Sequence, residues 1–158
     1  DMKRYMIMAA ICLAAAVACN KQLIPEEGTP AAEPIATYFY DGEEYPVHTA
    51  VYAENATSIM VRISPMMPEE DQTTYAVIGI HTSLEGTEID VDRAWNNDDY
   101  YFIYEDPVKY YSQYRKLQEG TISISREGDT FEVTADIVLP DGVTFQFEYE
   151  GPLKPVID

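Results

Sequence analysis

Two stretches of the chain carry residue types that could do chemistry. In the first, Asp90, Asp92, Asn96, Asp98 and Asp99 crowd oxygen donors into one short segment. Hard cations such as calcium take about six to eight oxygen ligands, so a Ca2+ site built on Asp90, Asp92, Asp98 and Asp99 is one expectation. The spacing departs from an EF-hand loop: glycine is missing at the turn, Arg93 intrudes, and no glutamate closes the set. The competing reading is a solvated turn whose Asp and Asn side chains bond their own backbone. The second stretch is aromatic. The chain holds 13 tyrosines and a single tryptophan, and Trp95, Tyr110, Tyr111 and Tyr114 lie outside its best alternating segments. Together they would make a platform on which sugar rings stack. Tyrosine is equally an ordinary residue of strand cores.

Catalysis has less to build on. His48 and His81 are the two imidazoles, each isolated in sequence. They would have to converge with a carboxylate and a nucleophile, or with each other around a metal. No Gly-x-Ser-x-Gly elbow, His-Glu-x-x-His pair or phosphate loop accompanies them. Carboxylates are so abundant that a glycosidase-like pair carries no information. With 28 acidic against 10 basic residues and a formal charge of -18, the surface repels a phosphate backbone, which argues against nucleic acid as a partner.

The N-terminal residues give an address. Lys3 and Arg4 precede an unbroken apolar run from Tyr5 to Cys19, too short to span a bilayer core of about 30 Å as a helix. This is the layout of an export signal. Its end, Ala16-Val17-Ala18-Cys19, resembles the lipobox of bacterial lipoproteins, although leucine is commoner where Ala16 stands. That resemblance implies a signal peptide over 1–18, cleavage before Cys19 and acylation of its thiol, and hence a membrane partner through acyl chains. Cys12 would leave with the signal, so no thiol would remain for a disulfide, a metal or a nucleophile. Residues 19–35, with Pro25, Gly28, Pro30 and Pro34 among glutamates, cannot bury enough apolar surface to order and are expected to form a tether.

Residues 36–158 have to position whatever site exists, and their dominant period is two. Ile59, Val61 and Ile63 share a face, with Met60 and Arg62 turned outward. Ala76, Ile78 and Ile80 share another, although Tyr75 and Val77 opposite suggest that both faces are partly covered. Tyr45 to Ala53 is expected to be one strand, with Val47 and Val51 on one face and His48 and Tyr52 on the other. At the C-terminal end, Phe131/Val133/Ala135/Ile137 and Val143/Phe145/Phe147/Tyr149 mark two core faces around a Pro140-Asp141-Gly142 turn, which predicts a three-stranded meander with Thr121 to Ser125. Residues 107–118 are ambiguous. Asp106-Pro107 resembles a helix start and Gly120 a helix stop, but two adjacent tyrosines fit a strand or an irregular connection equally well. The sum is one all-β domain, an antiparallel meander of eight or nine strands forming a sandwich or a small lipocalin-like or calycin-like barrel, with one short helix possible near 107–118.

Several motifs recur together: Tyr38-Phe39-Tyr40-Asp41-Gly42-Glu43-Glu44-Tyr45-Pro46, Gly86-Thr87-Glu88-Ile89-Asp90, Gly120-Thr121-Ile122-Ser123-Ile124, Gly128-Asp129-Thr130-Phe131, Asp141-Gly142 and Tyr149-Glu150-Gly151. With the lipobox they resemble a group of small outer-membrane lipoproteins of gut Bacteroidota. The resemblance implies an all-β domain held on the outer membrane, facing the periplasm or the cell surface, with no catalytic residue carried over. The expected function is a non-catalytic envelope module that binds a glycan or a surface protein. A carrier of small ligands in a barrel cavity is the alternative, and an enzyme comes third.

Overall fold

The computed structural model describes residues 32–93, 98–108, 110–112 and 117–156, the stretch 110–112 by its backbone alone. The expected signal peptide, Cys19 and most of the tether fall on 1–31, outside the described residues. The domain that follows is a β-sandwich of two six-stranded sheets. Among the described residues there is no α-helix, and no helix long and apolar enough to cross a membrane.

The first sheet contains β1 (Ala36–Tyr40), β2 (Glu43–Val47), β6 (Ile89–Asp90), β9 (Glu119–Glu127), β10 (Thr130–Val138) and β11 (Thr144–Pro152), in the order β2-β1-β11-β10-β9-β6. Its turns follow from local chemistry. Asp41 and Gly42 both adopt positive φ, 53° and 79°, which gives the tight β1–β2 reversal its right-handed twist. At Pro140-Asp141-Gly142, the Gly142 N–H donates to the Leu139 carbonyl and the Leu139 N–H to the Val143 carbonyl, each at 2.8 Å, with Gly142 at φ 84°. The expected meander is therefore present as β9-β10-β11. Phe131, Val133, Ala135 and Ile137 are buried, as are Phe145 and Phe147 opposite.

The second sheet contains β3 (Thr49–Glu54), β4 (Ser58–Ser64), β5 (Tyr75–His81), β7 (Tyr100–Glu105), β8 (Tyr110–Ser112) and β12 (Lys154–Pro155), in the order β12-β3-β4-β5-β7-β8. Every pairing in the domain is antiparallel except that of β12 with β3. The two sheets do not close on each other as a barrel. They meet through aromatic rings: Phe102 lies 4.8 Å from Phe145 between ring centroids, and Tyr104 stacks on Tyr40 at 4.0 Å and meets Tyr38 edge-on at 6.4 Å. Such contacts add to the burial of large apolar area.

Three expectations need correction. The segment Tyr45 to Ala53 is two strands, not one. The chain turns from the first sheet to the second at His48, whose N–H donates to the Ser64 carbonyl at 3.0 Å. This corner resets the side-chain alternation. Residues facing one another across an antiparallel pair share a face, so Ala50 and Tyr52, opposite Ile63 and Val61, point inward, and Val51, opposite Arg62, points outward. Tyr52 packs on Phe131 at 4.7 Å. The helix considered near 107–118 is replaced at 110–112 by β8, which adds to the edge of β7. Asp106 does not start a helix; its carboxylate accepts the Val108 N–H at 2.7 Å, closing a local turn after β7. Among the described residues the strand total also rises to twelve, through the split at His48 and the short β8 and β12.

Gly120 is likewise no helix stop. It lies within β9 opposite Ile137, at φ 113°, and its carbonyl accepts the Val91 N–H at 3.0 Å just beyond β6. A Cβ there would collide with the Asp136 carbonyl oxygen and come within 2.7 Å of the Ile137 Cα. Gly120→Ala is expected to destabilise the domain by about 2–3 kcal/mol or more, read from urea midpoints. Gly128→Ala, at a turn with open space around it, is the milder control. Equal losses for the two would refute this account.

The buried tyrosines set a pH limit. Burial pushes the Tyr38 phenol up to about 12 from an ordinary value of 10.0, and it raises Tyr104 further. A phenol whose folded value lies above its unfolded one contributes stability that is complete below about pH 10 and is lost as pH rises through the folded value. Alkaline titration should show phenolate absorbance from the buried rings appearing together with loss of circular dichroism, between about pH 10 and 12 and beyond. Complete tyrosine ionisation near pH 10 with the sandwich intact would contradict this.

Candidate binding face

The two outward faces of the sandwich differ. On the first sheet, β9, β10 and β11 alternate strictly, and apart from Val138 and Pro152 their outward residues are hydroxyls, amides and carboxylates. Ser123 and Thr134 share a hydrogen bond of 2.7 Å, and the Gln146 amide donates to Asp136 at 3.1 Å. A depression of about 590 Å³ on this face is edged by Glu88, Asp136 and Glu148, with Phe39 of β1, 37% exposed, among its lining. The face is mostly polar and acidic.

The outward face of the second sheet is half-apolar. Its register brings Val51, Arg62, Val77 and Ile103 into one row across β3, β4, β5 and β7, with Ala53, Met60 and Tyr101 beside it. These residues, with Tyr75 and with Val156 from the tail after β12, line a shallow groove of about 320 Å³. Tyr101 is 36% exposed and Val156 43%. A second depression of about 370 Å³ adjoins it, sharing Met60 and Tyr101 and reaching the polar side chains of Ser58, His81 and Asp98. Gly79 lies between the two: a Cβ there would come within 2.9 Å of the Met60 side chain, so the bare position lets Met60 lie across the sheet. The Tyr75 hydroxyl donates to Glu105 and fixes one rim.

At one end of the sandwich the two sheets are joined electrostatically. Arg126 of β9 pairs with Glu54 of β3 at 2.9 Å and with Glu85 at 3.5 Å, and its guanidinium lies over the Phe131 ring at 5.4 Å. The Arg126 hydrogen bond holds the Glu54 carboxyl below its usual range.

The residues singled out from sequence fall as follows. Asp90 lies in β6 of the first sheet. A hydrogen bond with the Asp92 carboxyl, then the Asp92 backbone N–H and Arg93, hold its carboxyl below the usual carboxylate range, and its Oδ2 lies 3.1 Å from the Arg93 Nε. Asp98 edges the second depression, and the Asp99 carbonyl accepts the His81 N–H at 3.0 Å. Among the described residues no three His, Cys, Asp or Glu side chains gather as a metal cage. Of the expected aromatic platform, Trp95 and Tyr114 lie outside the described residues. Tyr110 and Tyr111 are described by backbone alone, opposite Glu105 and Tyr104 in β8.

The two imidazoles stand beyond opposite ends of β4. His48 follows β2 and bonds to Ser64, whereas His81 pairs with Ser58, so about 20 Å of strand separates them. The His81 Nδ1 lies 2.8 Å from the Ser83 hydroxyl and accepts the Ser83 N–H at 3.2 Å, capping the short 3-10 turn Thr82–Leu84.

Sequence reasoning placed Met60 and Arg62 outward and noticed Tyr75 and Val77, but did not assemble them into a surface. The available signal was that β4, β5 and β7 carry large residues at both parities while β9 to β11 do not. Compared with known protein families, with curated proteins and with solved structures, the chain matches none of them.

Proposed function

We propose that the chain is a lipid-anchored, non-catalytic module of the bacterial envelope that binds a protein partner through the outward face of its second sheet. The observation that carries this reading is the contrast between the two outward faces. Monomeric surfaces rarely gather apolar side chains into one contiguous patch unless something covers it. Met60, Arg62, Tyr75 and Tyr101 are the types enriched at the centres of protein interfaces. The aliphatic share of the face, from Val51, Val77 and Ile103, favours a protein over a glycan, which would call for more rings.

The anchor is supported by Lys3, Arg4 and the run ending at Cys19. A non-catalytic role is supported by the separation of His48 from His81 along β4. The carrier alternative required a barrel around a cavity; the sheets here stay open and pack their inner faces against each other.

Two experiments test the reading. Cys19→Ala should move the chain from the membrane to the soluble fraction with the circular dichroism of the domain unchanged. Retention on the membrane would overturn the anchor. A photo-crosslinking amino acid placed at Tyr101 should trap a discrete protein adduct in the native host, whereas one at Glu132, on the acidic face, should not. Equal adducts from both sites, or none from Tyr101, would overturn the binding face. Polysaccharide binding that is lost in Tyr101→Ala would replace the protein partner with a glycan.

A further inference from the structure

Arg62 occupies the middle strand positions of the half-apolar face, directly opposite Val51 on β3 and Val77 on β5. The groove around it is otherwise hydrocarbon and ring, including Met60, Tyr101 and Ile103. Its Nε is shut off from solvent and has no hydrogen-bond acceptor. Among the described residues no carboxylate lies within ion-pair distance of its guanidinium. The other two described arginines are both paired, Arg93 with Asp90 and Arg126 with Glu54 and Glu85. With 28 acidic residues in the chain, the missing partner is a matter of local placement and not of supply.

A donor held without an acceptor is tolerable while the rest of the guanidinium touches water. Covering the face with an apolar surface would remove that water and leave a charged group unpaired, which is strongly unfavourable. Whatever covers this groove therefore has to bring an acceptor of its own. A carboxylate matches the planar fork of an arginine in two parallel hydrogen bonds.

We propose that the groove recognises a protein segment in which a single Asp or Glu side chain, flanked by apolar residues, pairs with Arg62. This rests on the protein-partner reading above and names the chemistry of that partner. A single carboxylate is favoured over a polyanion. The chain carries a net charge of -18, and Glu105 and Asp98 edge the same face, so a run of acids would meet repulsion around Arg62 that Lys154, exposed on the edge strand β12 in register with Val51, offsets on one side only. An isolated carboxylate meets Arg62 at contact distance, while the remaining acids act through solvent and are screened beyond about 8–10 Å. The apolar flanks of the segment would cover Val51, Val77 and Ile103.

The test is selection from a displayed library of random peptides on the full chain in detergent, run in parallel on Arg62→Gln and Arg62→Lys. The wild type should enrich peptides with one Asp or Glu between apolar residues. A synthetic copy should bind about tenfold more weakly when its carboxylate becomes a carboxamide, and similarly when Arg62→Gln replaces the wild type. Arg62→Lys, which keeps the charge and loses the fork, should fall between them, and thermal melts of both variants establish that the sandwich is intact. Peptides that block the Tyr101 crosslink but lack a carboxylate, or ignore Arg62→Gln, would overturn this inference and leave the protein-partner reading standing. Absence of any enrichment would overturn the inference; absence of the Tyr101 adduct as well would remove the reading beneath it.

Discussion

The contact of Phe102 with Phe145 joins strands of different sheets inside the core, and the architecture depends on inter-sheet contacts of this kind. Each sheet has one face that must leave water, and the pairing of β7 with β11 across the interface, continued by Tyr104 over Tyr40, is how the two faces remove each other from solvent. Because β7 and β11 are interior strands of their sheets, this contact fixes which side of every neighbouring strand is core. The outward sides are then free to differ, and they do. One carries mostly polar and charged side chains, and the other is half-apolar.

The same constraint explains the connections. A chain that supplies strands to both sheets must cross between them, and each crossing interrupts the alternation of the strand that makes it. At His48 the crossing takes a single residue, supported by Thr49, whose hydroxyl donates to the Met66 carbonyl at 2.7 Å, and by Ser64, whose hydroxyl donates to the Thr74 carbonyl at 2.6 Å. Both hydroxyls are buried, so these bonds satisfy polar groups that the corner would otherwise strand inside. They also tie down the loop 65–74. At the far end of β3, Arg126 joins the sheets with charge beside the Tyr52–Phe131 contact.

Much of this was legible in the residues. Ile59/Val61/Ile63 and Phe131 to Ile137 are long enough alternations, bounded by clear turns, that neighbouring strands have no competing way to lie. The corner at His48 was not legible, because Tyr45 to Ala53 alternates without a break and only the tertiary crossing shifts its parity. Around 107–118 the local cues for a helix, Asp106-Pro107 and Gly120, are each used for something else: an Asx turn, and a left-handed strand position that clears the Asp136 carbonyl. The outward face was half visible. Val77 and Tyr75 signalled partial cover, but the coming together of Val51 and Val156 with Met60, Arg62 and Tyr101 depends on strand order, which no local pattern encodes. Of the expected carboxylate cluster, Asp90 bonds its immediate neighbours and the Asp99 backbone carbonyl accepts the His81 N–H of β5.

The position of β1 has a mechanical consequence. The strand is the first among the described residues, yet it sits inside its sheet, bonded to β2 on one side and β11 on the other, with the Ile35 N–H already held by the Val47 carbonyl at 2.8 Å. Backbone bonds in such ladders run perpendicular to the strands. A tug along the leading segment therefore loads both ladders in shear, all rungs together, and cannot peel them open one at a time. A domain hung by this end would transmit drag from whatever it grips without coming apart at the point of suspension.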